Sequence, residues 1–129
     1  MSTRNHLLPL VGLLVMTACG GGGGGSTPTA PTNPTVTNTI TITAQGASPR
    51  NIQITAGSRV TFVNNDTRAH NMTSEPHPQH TTCPELNQVG LLTPGQTRES
   101  GNLNTVRTCG FHDHDNPGTT SLTGTITIR

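Results

Sequence analysis

Polar and apolar residues change places at every step in several short stretches of this chain. Thr39 to Gln45 reads TITITAQ, Asn51 to Thr55 reads NIQIT, and Arg59 to Asn64 reads RVTFVN. A period of two sends alternate side chains to opposite faces, so each stretch predicts a strand with one buried face. Residues suited to turns separate them: Gly46 with Ser48-Pro49, then Ala56-Gly57, then Asn64-Asn65-Asp66. HNMTS restarts an extended segment at His70, whereas Glu75 to Gln88 contains three prolines and predicts no regular strand. Val89 to Leu92 runs into a Pro94-Gly95 turn, Thr105 to His114 predicts a further strand, and Leu122 to Arg129 closes the chain. No segment holds helical spacing for as long as about ten residues. The expected class is all-β, an antiparallel Greek-key β-sandwich.

The first part of the chain follows different rules. Arg4 precedes an apolar run, Leu7 to Met16, too short to cross a bilayer as a helix, and small residues then lead to Cys19. That order resembles the lipobox of bacterial lipoproteins. The resemblance implies that residues 1–18 are a signal peptide and that Cys19 becomes the acylated first residue of the mature protein. Residues 20–38 are glycine and then proline and threonine, which bury no apolar surface. A coil of this length reaches about 25 Å, enough to hold a small domain off a membrane. The expected organisation is therefore signal (1–18), lipidated Cys19 with its tether (19–38), and one folded domain (39–129). It implies an exported protein anchored to a lipid bilayer, at a periplasmic or cell-surface face, or on the outer membrane where the cell has one.

Composition narrows the function. Of 129 residues, 29% are hydrophobic and 2% aromatic, so the core is small and aliphatic. Charged residues make up 10% with a net charge of +1, and every basic residue is Arg. Without a basic run the chain has no surface for nucleic acid. No nucleophile elbow and no phosphate-binding loop are present, so an enzyme is not expected.

Chemistry concentrates in the cysteines and histidines. With Cys19 lipidated, Cys83 and Cys109 remain as an even pair in an oxidising compartment. A disulfide between them stabilises by about 3 kcal/mol through the loop it closes. The alternative leaves Cys109 as a thiolate metal ligand and Cys83 free. Apart from His6, the histidines fall in two groups: His70, His77 and His80, then His112 and His114. On a strand His112 and His114 share a face, whereas Cys109 is in phase with Phe111 and Asp113 on the other. Strand phase thus favours the disulfide.

GSRVTFVNNDTRAHNMTS, LLTPGQT, CGFHDHDNP and LTGTITI together resemble the cupredoxins, the plastocyanin and azurin family. The resemblance covers about ninety residues. It implies a Greek-key sandwich with copper at one end and one-electron transfer to or from a protein partner. His70 matches the family's first copper ligand, and Cys109 with His112 matches its Cys-x-x-His spacing. The family's Met position falls on Leu122, so the set of two His, one thiolate and a weak axial donor is incomplete. A three-histidine copper site, His70 with His112 and His114, is expected instead, with His77 or His80 as a fourth ligand. Asp113 and Asp115 would orient the ring N–H groups or remain solvated loop acids. Copper holding or delivery to an exchange partner, and a metal-free interaction module, are the alternatives. GFHDH is also similar to the G-F-H-x-H signature of copper-zinc superoxide dismutases, although no histidine after His114 completes that family's zinc half.

Overall fold

The computed structural model describes residues 33–129. The segment read as a signal, Cys19 and the first part of the segment read as a tether lie outside the described residues. Ten strands form two sheets: β1 (Thr35–Val36), β2 (Thr39–Thr43), β3 (Gly46–Ser48), β4 (Asn51–Ile54), β5 (Thr61–Asn64), β6 (His70–Ser74), β7 (Gly90–Leu92), β8 (Thr97–Glu99), β9 (Thr108–Asp113) and β10 (Gly124–Ile128). One sheet has the order β1-β4-β10-β9-β6-β7 and the other β3-β2-β5-β8.

Alternation does what the sequence predicts. In β2, β4 and β5 every second residue is buried. Ile40, Ile42, Ile52, Ile54, Phe62, Phe111, Ile126 and Ile128 thereby meet in one core between the sheets. Each such side chain contributes about 1.5–3 kcal/mol on leaving water. The two phenylalanines, one from each sheet, pack edge to face with ring centroids 5.5 Å apart. Gly124 is required beside them, because a Cβ there would strike the Phe111 ring at 2.6 Å and also the Arg50 carbonyl.

The all-β sandwich is as expected, but both sheets are mixed rather than purely antiparallel. β1 and β10 each run parallel to β4, and β2 runs parallel to β5. A period of two is the same in either direction, so sequence alternation carries no information on this point. Three strands escaped the pattern. β3 is a short edge strand where only a turn was expected, and β8 is exposed at all three positions. β1 is likewise exposed and lies within the segment read as tether, so among the described residues the sheet begins at Thr35. The proline-rich stretch forms no strand. It carries one short 3-10 turn, Pro84–Gln88, which buries Leu86 against the core.

Candidate metal centre

β6 and β9 pair antiparallel, and their register decides the site. Met72 lies opposite Asp113, Thr73 opposite His112, and Ser74 opposite Phe111. Directly opposed residues project from the same face. His70 is in phase with Met72 and so shares the inner face with Asp113. His112 shares the outer face with Thr73, and His114 follows it at i+2.

His70, expected as the first ligand, therefore does not join His112 and His114. It is 1% exposed, with Nδ1 2.9 Å from Asp113 Oδ2 and Nε2 3.1 Å from Asp66 Oδ2. Both ring nitrogens are thus occupied by carboxylates. Asp113 orients His70 rather than the neighbouring histidines. Its Oδ1 accepts the N–H groups of Asn71 and Asp115, and its Oδ2 also accepts from Asn116 Nδ2. Burial alone would raise the Asp113 carboxyl, but these donors outweigh it and hold it below the usual carboxylate range. The hydrogen bond from His70 does the same for Asp66.

On the outer face the chain leaving β6 folds back over β9 and brings His77 and His80 to the other pair. One ligand atom from each of His77, His80, His112 and His114 lies within 4.8 Å of all the others. Burial is graded: His112 is fully buried, His80 and His114 are half-buried, and His77 is exposed at the rim. His80 stacks on His112 with centroids 5.0 Å apart, and His77 contacts all three of the other rings at 5.0 to 5.5 Å.

The loop holds His80 tightly. The residue adopts φ +53°, a left-handed conformation uncommon outside glycine. Its N–H donates to the Pro76 carbonyl at 2.7 Å, and its own carbonyl accepts Asn87 Nδ2 at 2.9 Å. Asn87 Oδ1 in turn accepts the Ser74 N–H, so one side chain ties the loop to the end of β6. His80 Nδ1–H donates to the Ser74 carbonyl at 2.8 Å, which selects the tautomer with a free lone pair on Nε2. That Nε2 accepts a hydrogen bond from His114 Nδ1–H at 2.9 Å. Two nitrogens bound to one ion at about 2.0–2.1 Å stand roughly 2.9–3.4 Å apart. The pair is already at ligand spacing.

His112 supplies a second sign of an incomplete shell. Its Nδ1 is buried and has no hydrogen-bond partner, although Glu75 Oε1 lies 3.1 Å away, off the line such a bond needs. Burial holds the His112 ring below the ordinary histidine range, against the opposing pull of Glu75, so the neutral, lone-pair form is favoured. A buried, neutral imidazole with an unpartnered nitrogen, set among three other imidazoles, fits a borderline divalent ion.

Cys83 and Cys109 are joined in a disulfide, with Cα atoms 5.8 Å apart and both residues fully buried. Cys109 is therefore not a thiolate ligand. The bond closes three residues after His80 and three before His112, clasping the loop to the strand that carries its partners. Met72 is buried in the core on the inner face, away from the four rings. Of the three expected histidines, the structure brings His112 and His114 together, adds His77 and His80 to them and leaves His70 apart. Strand parity, already used to separate Cys109 from His112, could have excluded His70 had the β6–β9 register been known.

No protein-family model matches the chain, and no curated protein sequence matches it. Solved structures do. The chain is similar to a purple cupredoxin from Nitrosopumilus maritimus at 22% identity, over 72% of this chain and 100% of that one, with a TM-score of 0.58. It is similar to oxidised plastocyanin from the fern Dryopteris crassirhizoma at 20% identity, over 70% and 99%, with a TM-score of 0.55. A reduced amicyanin variant aligns at 14% identity over 70% and 80%, with a TM-score of 0.55. The fold is that of the cupredoxins.

Proposed function

We propose that this is an exported copper-binding domain whose ion is held by the imidazoles of His77, His80, His112 and His114. The single observation carrying the reading is their convergence, one ligand atom each within 4.8 Å, in a group whose buried member, His112, has a ring nitrogen without a hydrogen-bond partner. Copper stands highest in the divalent affinity order for such nitrogen sites. Similarity to plastocyanin solved oxidised and reduced, and to amicyanin solved with Cu(I), supports one-electron exchange with a protein partner as the role. Copper bound here would supply that electron by passing between Cu(II) and Cu(I). The protein's part is to keep the ligands in place, through the His80–Ser74 hydrogen bond, the Asn87 tie and the disulfide. A second role, holding or delivering copper without turnover, is favoured by the donor set. Four nitrogens without sulfur suit Cu(II) better than Cu(I).

Titration of the oxidised mature domain with Cu(II), followed by visible and EPR spectra, tests the reading. A weak visible band with nitrogen hyperfine structure and a one-to-one endpoint is expected. Absence of tight binding overturns it and leaves a metal-free interaction module. An intense thiolate-to-copper band would overturn the ligand set. Voltammetry then separates the roles, since a carrier cycles reversibly and a holding protein does not. Acylation of Cys19, with attachment to a bilayer, belongs to the same proposal, and an unmodified N-terminus downstream of Cys19 in the mass spectrum refutes it.

A further inference from the structure

Glu75 is the acidic side chain that contacts the outer-face cluster, and its placement is built rather than incidental. Its backbone is pinned on both sides: the N–H donates to the Gly110 carbonyl at 3.0 Å, and the carbonyl accepts the Thr82 N–H at 2.9 Å. Its side chain lies across Gly110, where an added Cβ would meet Glu75 Cγ at 2.6 Å and Cβ at 3.1 Å. A glycine at this point of β9 therefore makes the room that lets the carboxylate lie against the strand. The carboxylate reaches the ring of His112, with Oε1 3.1 Å from Nδ1. Arg107, by contrast, is paired with Glu85 at 2.9 Å, and Arg59 with Glu99 at 3.7 Å. Glu75 has no such cationic partner among the described residues.

We infer that Glu75 is the charge-setting residue of the metal centre: its carboxylate beside the His112 ring makes the site discriminate between a divalent and a monovalent ion. The inference rests on the copper reading above. Four neutral imidazoles leave the full charge of the ion in a partly buried site. A carboxylate beside one ligand reduces that charge by one, and its Coulomb attraction to a dication is twice that to a monocation. Glu75 is 41% exposed, so solvent screens part of the attraction. The effect belongs at the low end of the range for groups that support a metal ligand, about tenfold in affinity.

Glu75→Gln keeps the shape and removes the charge. Competition titrations of the mature full chain with Cu(II), and with Cu(I) under reducing but disulfide-sparing conditions, are the test. Cu(II) affinity should fall about tenfold and Cu(I) affinity only about threefold, the square root demanded by half the charge. The Cu(II)/Cu(I) midpoint potential should rise accordingly. Equal losses for the two ions would make Glu75 a steric prop and overturn the inference, as would no loss for either. Glu75→Ala removes shape and charge together. It should change the ratio of the two affinities as Gln does, and a ratio that stays at the wild-type value overturns the inference as well. Failure of the unaltered chain to bind Cu(II) overturns the copper reading itself, and the role of Glu75 with it.

Discussion

The two faces of the β6–β9 pair carry the same kind of side chain and use it in opposite ways. On the inner face His70 is sealed between Asp66 and Asp113, with a carboxylate at each ring nitrogen. On the outer face four histidines face one another, their acidic neighbour stands off-line, and one buried nitrogen has no partner. Satisfied polar groups in a core stabilise and specify the fold, whereas unsatisfied ones concentrated in one place point to a ligand. A histidine's role is therefore read from what its nitrogens meet, not from the motif in which it stands.

The strongest way to break this comparison is to truncate one histidine from each face. His112→Ala should lower Cu(II) affinity at least about 100-fold, roughly 3 kcal/mol, in a competition titration. His70→Ala should leave that affinity nearly unchanged while destabilising the metal-free domain by about 3–5 kcal/mol in denaturant unfolding, because two buried carboxylates lose their partner. If His70→Ala abolished copper binding in a folded protein, the assignment of the faces would be wrong.

The disulfide joins the faces and should register on both. Replacing Cys83 and Cys109 together by serine should cost about 3 kcal/mol in thermal or chemical unfolding. It should also weaken Cu(II) binding, because the loop bearing His77 and His80 is no longer clasped to β9. Stability loss without any loss of affinity would show that the Asn87 tie alone positions the loop.

Acid should dismantle the two faces in order. The His112 pKa is depressed below 6.5, so the unfolded chain binds more protons than the folded one between the two values. Its contribution is complete above pH 6.5 and is lost as pH falls through the folded value. The carboxyls of Asp66 and Asp113 are depressed below 3.8, so their contribution is complete above that pH and disappears only as pH falls further. Unfolding free energy of the metal-free protein measured against pH should show two declines. The upper one should vanish in His112→Ala, and bound copper should be released only at lower pH than that decline, because protons must displace the ion from imidazole.

The smallest effect is expected at the rim. His77 is exposed, and His77→Ala should weaken Cu(II) binding least of the four alanine substitutions. A loss as large as that of His112→Ala would mean that the site closes over the ion more completely than the metal-free geometry indicates.

Local chemistry in the sequence determined a good deal of this protein. Alternation in β2, β4, β5 and β10 marked the core, because a period of two is a property of the strand itself. Strand phase within β9 separated Cys109 from His112, and even cysteine arithmetic pointed to the bond that forms. Clustering of histidines pointed to a metal centre. Only the tertiary structure decided which histidines come together. The β6–β9 register turned His70 inward, and the path of a loop with no periodicity carried His77 and His80 across the outer face. Both depend on contacts between residues far apart in the chain, and neither register nor loop path leaves a trace in the alternation of a single strand.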